Sequence, residues 1–543
     1  MVNIKYDLCV IGGGPAGIII AMEYATQNPE KKIVLIEFGK ANSEPHNILD
    51  DTIIIKNRIN HHDPYECTNK GLGGSTQSYG GRCVMYDEVD FQDRSILQGG
   101  CTWDANFFKD SQNYITTANH YFECGEPIYD LKNSKEFSSK RIAENFVNAH
   151  ITDTALERWS MPTRFGKRYR KELENLSNVT LLEGYQAVSF SDPTKDGVVN
   201  DVHFISEDLK TSTIQSKNFV IACGTQETTR LLLKNLNVFN NLKEAPNALG
   251  KYYQCHISGK IASIVFNGDP KKTEYGFLKD KDGIYLRRRF QFTSEFLQQN
   301  DLLNTALWLD NPLYSNPNHK SGAMSLMYLV MLIPFLGSKL APPAIAESIT
   351  KGERTAINKH FWNIIKDFPF SFLTTLDIFI RRYLFKRKLP GVFLYNKSNK
   401  YALHFHAEQT PDIKNCMKLS DDQNKLIIDY NFNENDINSI IRLHDELDKY
   451  LREINCGKLE YWYSKDELFE KIKLMSKDGI HQSGTTRIAK DSSLGVVDED
   501  LKVFGTSNLY VCSGSVFPTS GQANTTFYLS VLAVRLANFI SNK

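Results

Sequence analysis

Three glycines near the start, Gly12, Gly14 and Gly17, constrain the fold of this chain more than any other feature. They follow an apolar run, Tyr6-Asp7-Leu8-Cys9-Val10-Ile11, and open a second one, Ala16 to Gln27, rich in Ile and Ala. A strand, a turn spaced G-x-G-x-x-G and a helix make the first half of a βαβ unit. The first glycine permits the tight turn, the second lets backbone approach a pyrophosphate, and the third brings helix onto strand. The helix start adds free N–H groups and a partial positive charge at the same place. A second strand, Lys32 to Ile36, ends in Glu37, 20 residues after Gly17. That spacing suits a carboxylate on adenosine ribose hydroxyls. Gly12, Gly14, Pro15, Ala16, Gly17 and Glu37 are therefore expected to hold a dinucleotide.

A second glycine cluster bears on which dinucleotide. Gly71, Gly73, Gly74, Gly80 and Gly81 fall within eleven residues, beside Ser75 and Arg82. Such a loop lets backbone run flat against a large planar or phosphate-bearing ligand. A ligand long enough to meet both this loop and the first turn fits FAD better than NAD. Gly73, Gly74, Ser75, Gly80, Gly81 and Arg82 are the expected contacts. The far end of the chain carries His481-Gln482-Ser483-Gly484-Thr485-Thr486-Arg487, then Gly514-Ser515-Val516-Phe517-Pro518, then Asn524-Thr525-Thr526. From Phe527 to Ile540 the chain is apolar nearly all round, the pattern of a buried helix. Asn524 is a suitable cap for it. Its N-terminus would place positive potential beside the N1–C2=O edge of a flavin.

These segments, with Phe219 to Gly224, Glu227, Arg230 and Leu249 to His256, resemble the glucose–methanol–choline (GMC) oxidoreductases. The likeness covers most of the nucleotide-binding half and little of the middle. It implies a flavin-dependent alcohol oxidoreductase in which His481 takes the hydroxyl proton while the carbon's hydride passes to flavin N5. Asn524 would donate a hydrogen bond to the substrate oxygen. It also implies FAD contacts at Ala187, Val188, Cys223, Gly224, Ser515, Asn524 and Thr525. Two positions depart from the family pattern. Thr525 stands where many relatives have proline, and Ser78 stands where some carry a histidine that attaches the flavin covalently. The second departure implies non-covalent FAD. The implied substrate is a sugar, glycoside or other natural-product hydroxyl. A non-redox lyase of the hydroxynitrile-lyase kind and a redox-silent FAD-binding protein share the fold and stand as alternatives.

The expected architecture is α/β (α+β overall). A discontinuous Rossmann-like FAD-binding domain would take residues 1–95, 175–255 and 475–543. A substrate domain built on an antiparallel sheet with helices would take 96–174 and 256–474, with strands at Lys260 to Phe266 and Tyr401 to Ala407. The net charge of +1 gives no reason to expect a nucleic-acid partner. The ten cysteines are scattered, without a C-x-x-C pair, and read as small hydrophobes in a reducing compartment. No metal-ligand cluster stands out. With the first strand beginning by Tyr6, no signal peptide precedes it, and a cytoplasmic location is expected. Nothing in the sequence sets the oligomeric state.

One middle stretch is unusual. Ala323 to Leu336 is apolar and closed by Pro334, but shorter than the ~20 residues that span a bilayer. Phe368 to Ile380 is aromatic, and Arg381, Arg382, Lys386, Arg387 and Lys388 cluster around Tyr383-Leu384-Phe385. Two readings follow. One is a buried helix followed by a solvated basic one. The other is a surface that rests on a membrane or accepts a lipid-linked substrate, peripheral at the inner membrane face.

Overall fold

The computed structural model describes residues 5–40, 52–134, 141–272, 274–333, 335–337, 356–394 and 398–543. The glycine turn joins the strand Lys5–Ile11 to the helix Pro15–Gln27. Gly17 lies so close to the turn that a Cβ there would sit 1.9 Å from the Gly12 carbonyl oxygen. Helix and strand approach this closely only without a side chain between them.

Lys5–Ile11 lies inside the larger sheet, with Ile33–Glu37 parallel on one side and Thr211–Ile221 parallel on the other. Val179–Glu183 extends the sheet beyond Ile33–Glu37. The long strand Thr211–Ile221 changes partner along its length. Its first half pairs antiparallel with Asp201–Ser206, which pairs in turn with Tyr185–Phe190, and its last residues pair parallel with Leu509–Val511. Leu8 to Val10, Ile33 to Leu35 and Phe219 to Ile221 are wholly buried, as parallel strands covered on both faces require. Helix Pro15–Gln27 packs along the final helix, Thr525–Ser541. Gln27 and Asn28 hydrogen-bond Asn538 and Ser541 across that contact. The two ends of the chain therefore share one core.

The second sheet is antiparallel throughout, in the order Gly457–Tyr461, Ile257–Phe266, Lys400–Ala407, Thr305–Asp310, Phe290–Phe292, Ile151–Thr152. Helix Glu434–Glu453 covers one face with Ile437, Ile440, Leu443, Leu447 and Leu451, a helical stripe. In Lys400–Ala407, Tyr401, Leu403 and Phe405 join that core. Strand alternation turns His404 and His406 to the opposite face.

Several segments pack across the division expected from sequence, among them Ile53–Ile55 and the helix Phe165–Asn175. Ile53–Ile55 pairs with Leu426–Asp429 and enters the second core. Helix Phe165–Asn175 places Phe165, Tyr169 and Leu173 in the first core. Both are short, and their partners lie far along the chain, so composition carries no sign of which core they join.

In the middle, Gly322–Met331 is a helix with Ala323, Met324, Ser325 and Tyr328 buried. Ile333, Phe335 and Leu336 are exposed, so the apolar stretch is not the uniformly buried helix of the first reading. Pro334 lies outside the described residues. Helices Ile357–Lys366 and Phe370–Phe379 follow. Among the described residues no helix is long and apolar enough to cross a membrane.

Candidate active site

The site begins at Asp478, in the loop after helix Lys465–Met475. Its Oδ1 accepts the backbone N–H groups of Gly479 (2.9 Å), Ile480 (2.8 Å) and His481 (3.3 Å). Its Oδ2 accepts the N–H of His256 at 2.9 Å and lies 3.1 Å from His481 Nδ1. Burial opposes ionisation, but the charge and hydrogen bond of His481, followed by those of His256, outweigh it and hold the carboxyl well below the usual range. A carboxylate only accepts hydrogen bonds, so Nδ1 of His481 carries the proton and Nε2 presents a lone pair. Asn524 Nδ2 donates to that Nε2.

Asn524 stands at the head of the final helix, yet its side chain makes no capping bond. The expected cap is therefore absent. The amide turns to His481 instead, and its Oδ1 is buried without a partner.

Two further histidines close the site. His406 Nδ1 donates to the Gln522 carbonyl at 2.8 Å, and His256 Nε2 to the Ser520 carbonyl at 3.2 Å. The ring centroids of His256 and His406 are 4.2 Å apart, and they lie 5.2 and 5.4 Å from that of His481. Ring nitrogens of all three lie within 4.8 Å of one another. The sequence shows no such cluster because each ring comes from a different segment. Burial first, then the neighbouring His481, lowers His256 to about 3. Burial, then His256, drives His406 well down as well. Both are neutral near pH 7, so neither competes with His481 for a proton.

Beyond His406 the wall is aromatic and ionic. Trp308 stacks on His404 at 4.3 Å, with the Arg82 and Arg287 guanidinium groups 4.6 and 4.4 Å from its ring centroid. Glu157 joins the two arginines at 2.5 and 2.6 Å. Burial would raise the Glu157 carboxyl, but Arg287 and then Arg82 hold it at about 2.

The glycine segments form one cradle. Gly73 N–H donates to the Gly13 carbonyl at 2.7 Å, and a Cβ on Gly74 would meet Gly14 Cα at 3.1 Å. Gly12 and Gly17 are sealed by neighbouring backbone, whereas a Cβ on Gly14 meets only the Ala222 carbonyl oxygen, at 3.9 Å, and one on Gly224 meets nothing within 4 Å. The open sides of Gly14 and Gly224 are where the backbone of an extended dinucleotide site must be bare, and the residues fit FAD. Cys223 and Gly224 begin helix Gly224–Lys234 beside Gly12, with the Cys223 thiol donating to the Ile11 carbonyl at 3.1 Å. Pro15 and Ala16 form the first turn of the first helix, and both are buried. Ser75 is exposed in the short turn Gly74–Gln77.

Other expected contacts are engaged elsewhere. Glu37 spends its carboxylate on backbone, Oε2 accepting Gly13 N–H at 2.7 Å and Oε1 accepting Gly39 and Gly71 at 2.9 Å each. It ties the turn to the glycine loop, so a ribose hydroxyl would have to share an oxygen already in use. Arg82 faces Glu157 in that aromatic and ionic wall, and Gly81 packs on Ser160 and Pro162, so these two leave the cradle because the chain there turns into the strand Arg82–Cys83. Gly80 has open space around it. Ala187 and Val188 sit at a register shift in Tyr185–Phe190, where the Val188 carbonyl accepts from Asn235. Ser515 is buried, with its hydroxyl bonded to Thr486 and Ser513. Thr525 is the buried first residue of the final helix. Ser78 accepts a hydrogen bond from Asn69 at 2.7 Å.

The structure brings His481 and Asn524 together and adds Asp478, His256 and His406, which the sequence did not single out. Signals existed for two of them. Asp478 precedes His481 by one helical turn's spacing, and His404 and His406 alternate along a strand.

The family model "GMC oxidoreductase" matches residues 411–533. No curated protein matches the chain. A solved fungal aryl-alcohol oxidase superposes with a TM-score of 0.53 at 14% identity, covering 100% of this chain and 99% of that one. Pyridoxine 4-oxidase from Mesorbium loti superposes with a TM-score of 0.52 at 14% identity, covering 98% and 99%. At that identity the two structures show the shared fold alone. The C-terminal part of the chain, residues 411–533, therefore matches the GMC oxidoreductase family, and the chain along its whole length shares the fold of these two solved oxidases.

Proposed function

We propose that the protein oxidises an alcohol to a carbonyl compound, with His481 as the base. The observation that carries this reading is the line Asp478–His481–Asn524, which presents one oriented imidazole lone pair beside one amide donor. FAD, when bound, accepts the hydride from the alcohol carbon. Gly12, Gly14, Gly17, Gly73, Gly74, Cys223 and Gly224 are the residues that would hold it, without a covalent bond. The substrate hydroxyl takes the place of the Asn524 amide at Nε2 and gives its proton to that nitrogen. Asn524, freed from the ring, donates to the substrate oxygen. Asp478 stabilises the imidazolium as it forms, and the neutral His256 and His406 leave the proton on His481. A placed general base of this kind contributes on the order of 10²–10⁴-fold.

The substrate we propose is a hydroxyl of a sugar, glycoside or other natural product. Trp308 beside the Arg82–Glu157–Arg287 ion pairs supports this, since an aromatic face next to a polar rail suits a ring that carries several oxygens. The names of the two solved neighbours, both oxidases, support oxidation as the reaction class. The test is anaerobic mixing of the flavin-loaded protein with sugars, amino-sugars, sterols and simple alcohols. Bleaching of the flavin by one class supports the reading and identifies the substrate. No bleaching by any alcohol, with dithionite still reducing the flavin, would overturn it.

A further inference from the structure

The helices Ile357–Lys366 and Phe370–Phe379 are built inside out. In the first, the side chains turned inward are polar. His360 bonds the Ser325 hydroxyl at 3.0 Å, and Asn363 donates to the Pro317 carbonyl at 2.9 Å. Its outward side chains are apolar, with Phe361 53%, Trp362 56% and Ile365 64% exposed. The second buries Ser371 and Ile378 and exposes Phe370 (74%), Phe372 and Leu373. A helix on a water-facing surface shows the opposite pattern. Most exposed large apolar side chains among the described residues fall between Ile333 and Phe385. That concentration exceeds the scattered exposure normal for a monomer.

The arrangement is held in place. Gly322 N–H donates to the Asp367 carboxylate at 2.7 Å, and a Cβ on Gly322 would meet Asp367 and Ser371 at 2.7 and 2.8 Å. Tyr328 stacks on His360 at 4.4 Å. Ile378 enters a small core with Trp159, Tyr285 and Leu389. The apolar side chains therefore cannot turn inward by rotating the helices without breaking these contacts.

The charge at the rim identifies the occupant. The wide helical turn Ile380–Leu384 carries Arg381 and Arg382, and Lys386 and Lys388 follow it, exposed. The acids between residues 356 and 394 are Asp367 and Asp377, and both are engaged, Asp377 with Arg381. An aromatic, apolar face with Trp and Tyr near a basic fringe matches the headgroup boundary of an anionic bilayer. A second copy would bring an equally basic fringe, and both described acids of this stretch are already engaged. Each helix has ten residues, about 15 Å, too short to cross a bilayer. We propose that Ile357–Lys366, Phe370–Phe379 and the turn after them form a docking surface for an anionic phospholipid bilayer.

The test is flotation of the flavin-loaded full chain with vesicles of phosphatidylcholine alone or mixed with phosphatidylglycerol. The protein is expected to float with the anionic vesicles and to be released in part by salt. The triple variant Phe361→Ser, Trp362→Ser, Phe370→Ser should lose at least ~10-fold in partitioning, since apolar burial supplies the sequence-independent part of such binding. Its flavin content and its rate with any water-soluble alcohol should match the parent, which separates docking from the alcohol reading and from misfolding. K386Q with K388Q should weaken only the anionic, salt-sensitive part. A protein that stays at the bottom with anionic vesicles overturns the proposal. So does a dimer in light scattering that the triple variant dissociates, which would make the face a contact between copies.

Discussion

Asp478→Asn tests the proposed mechanism at its support. The amide keeps one oxygen for the N–H groups of Gly479, Ile480 and His481, so the loop retains its shape. It puts an NH₂ group where Oδ2 accepts from His256 N–H and faces His481 Nδ1. One buried N–H then lacks an acceptor, a stability cost of ~1–3 kcal/mol. The ring loses a charged partner worth ~1.5–3 kcal/mol, or roughly 10- to 150-fold in a step that builds positive charge on the ring. If the new NH₂ donates to Nδ1, the ring proton moves to Nε2 and the base is lost altogether. The loss then approaches the full ~10²–10⁴-fold of a general base. The assay is the anaerobic rate of flavin bleaching by a substrate alcohol, with FAD content and dithionite reduction as controls. A variant that holds FAD and bleaches as fast as the parent would refute the role given to Asp478.

Three further outcomes are expected. Gly14→Val should fold but purify without flavin, because its side chain enters only the cradle, whereas Gly17→Val should fail to fold, with its Cβ 1.9 Å from a carbonyl oxygen; a yellow Gly14→Val protein would contradict this placement. Asn524→Ala should slow bleaching while sparing the ~0.5–2 kcal/mol that a true cap contributes, so a thermal midpoint that falls sharply would show that the side chain caps after all. Burial holds His256 and His404 at about 3, against 6.5 when free. The unfolded chain binds their protons first, so their contribution is complete above pH 6.5 and is lost as pH falls toward 3, at up to ~1.4 kcal/mol per pH unit for each ring. Thermal denaturation should show that decline, shallower in His404→Phe, and a midpoint level from pH 7 to pH 4 would count against it.

The glycine turn was legible because it needs local chemistry: a strand, three glycines and a helix in consecutive residues. His481 and Asn524 were legible through their neighbours in sequence. Residues whose meaning lies in a distant partner were not. Glu37 is found at the strand end where spacing puts it, yet backbone amides from three segments claim its oxygens. Arg82 follows a glycine loop, but Glu157, far along the chain, draws it into another wall. His406 read as an ordinary strand residue and His256 as the end of the segment Leu249 to His256, until the fold brings both beside the tail. The exposed aromatic helices were legible as composition, while the direction in which each side chain points was not.

The pairing of the chain's ends sets an order of events during synthesis. Lys5–Ile11 and Pro15–Gln27 emerge first, but the strand Leu509–Val511 and the helix that covers them are made last. At ~5–20 residues per second, roughly half a minute to two minutes separates them. Throughout that time the apolar side of the first helix, including Ile18 to Ala21, lacks its native cover. The antiparallel half has all its strands between Ile151 and Tyr461, so they are made before that last strand and helix. Loss of the last thirty or so residues would therefore undo the part of the protein made first.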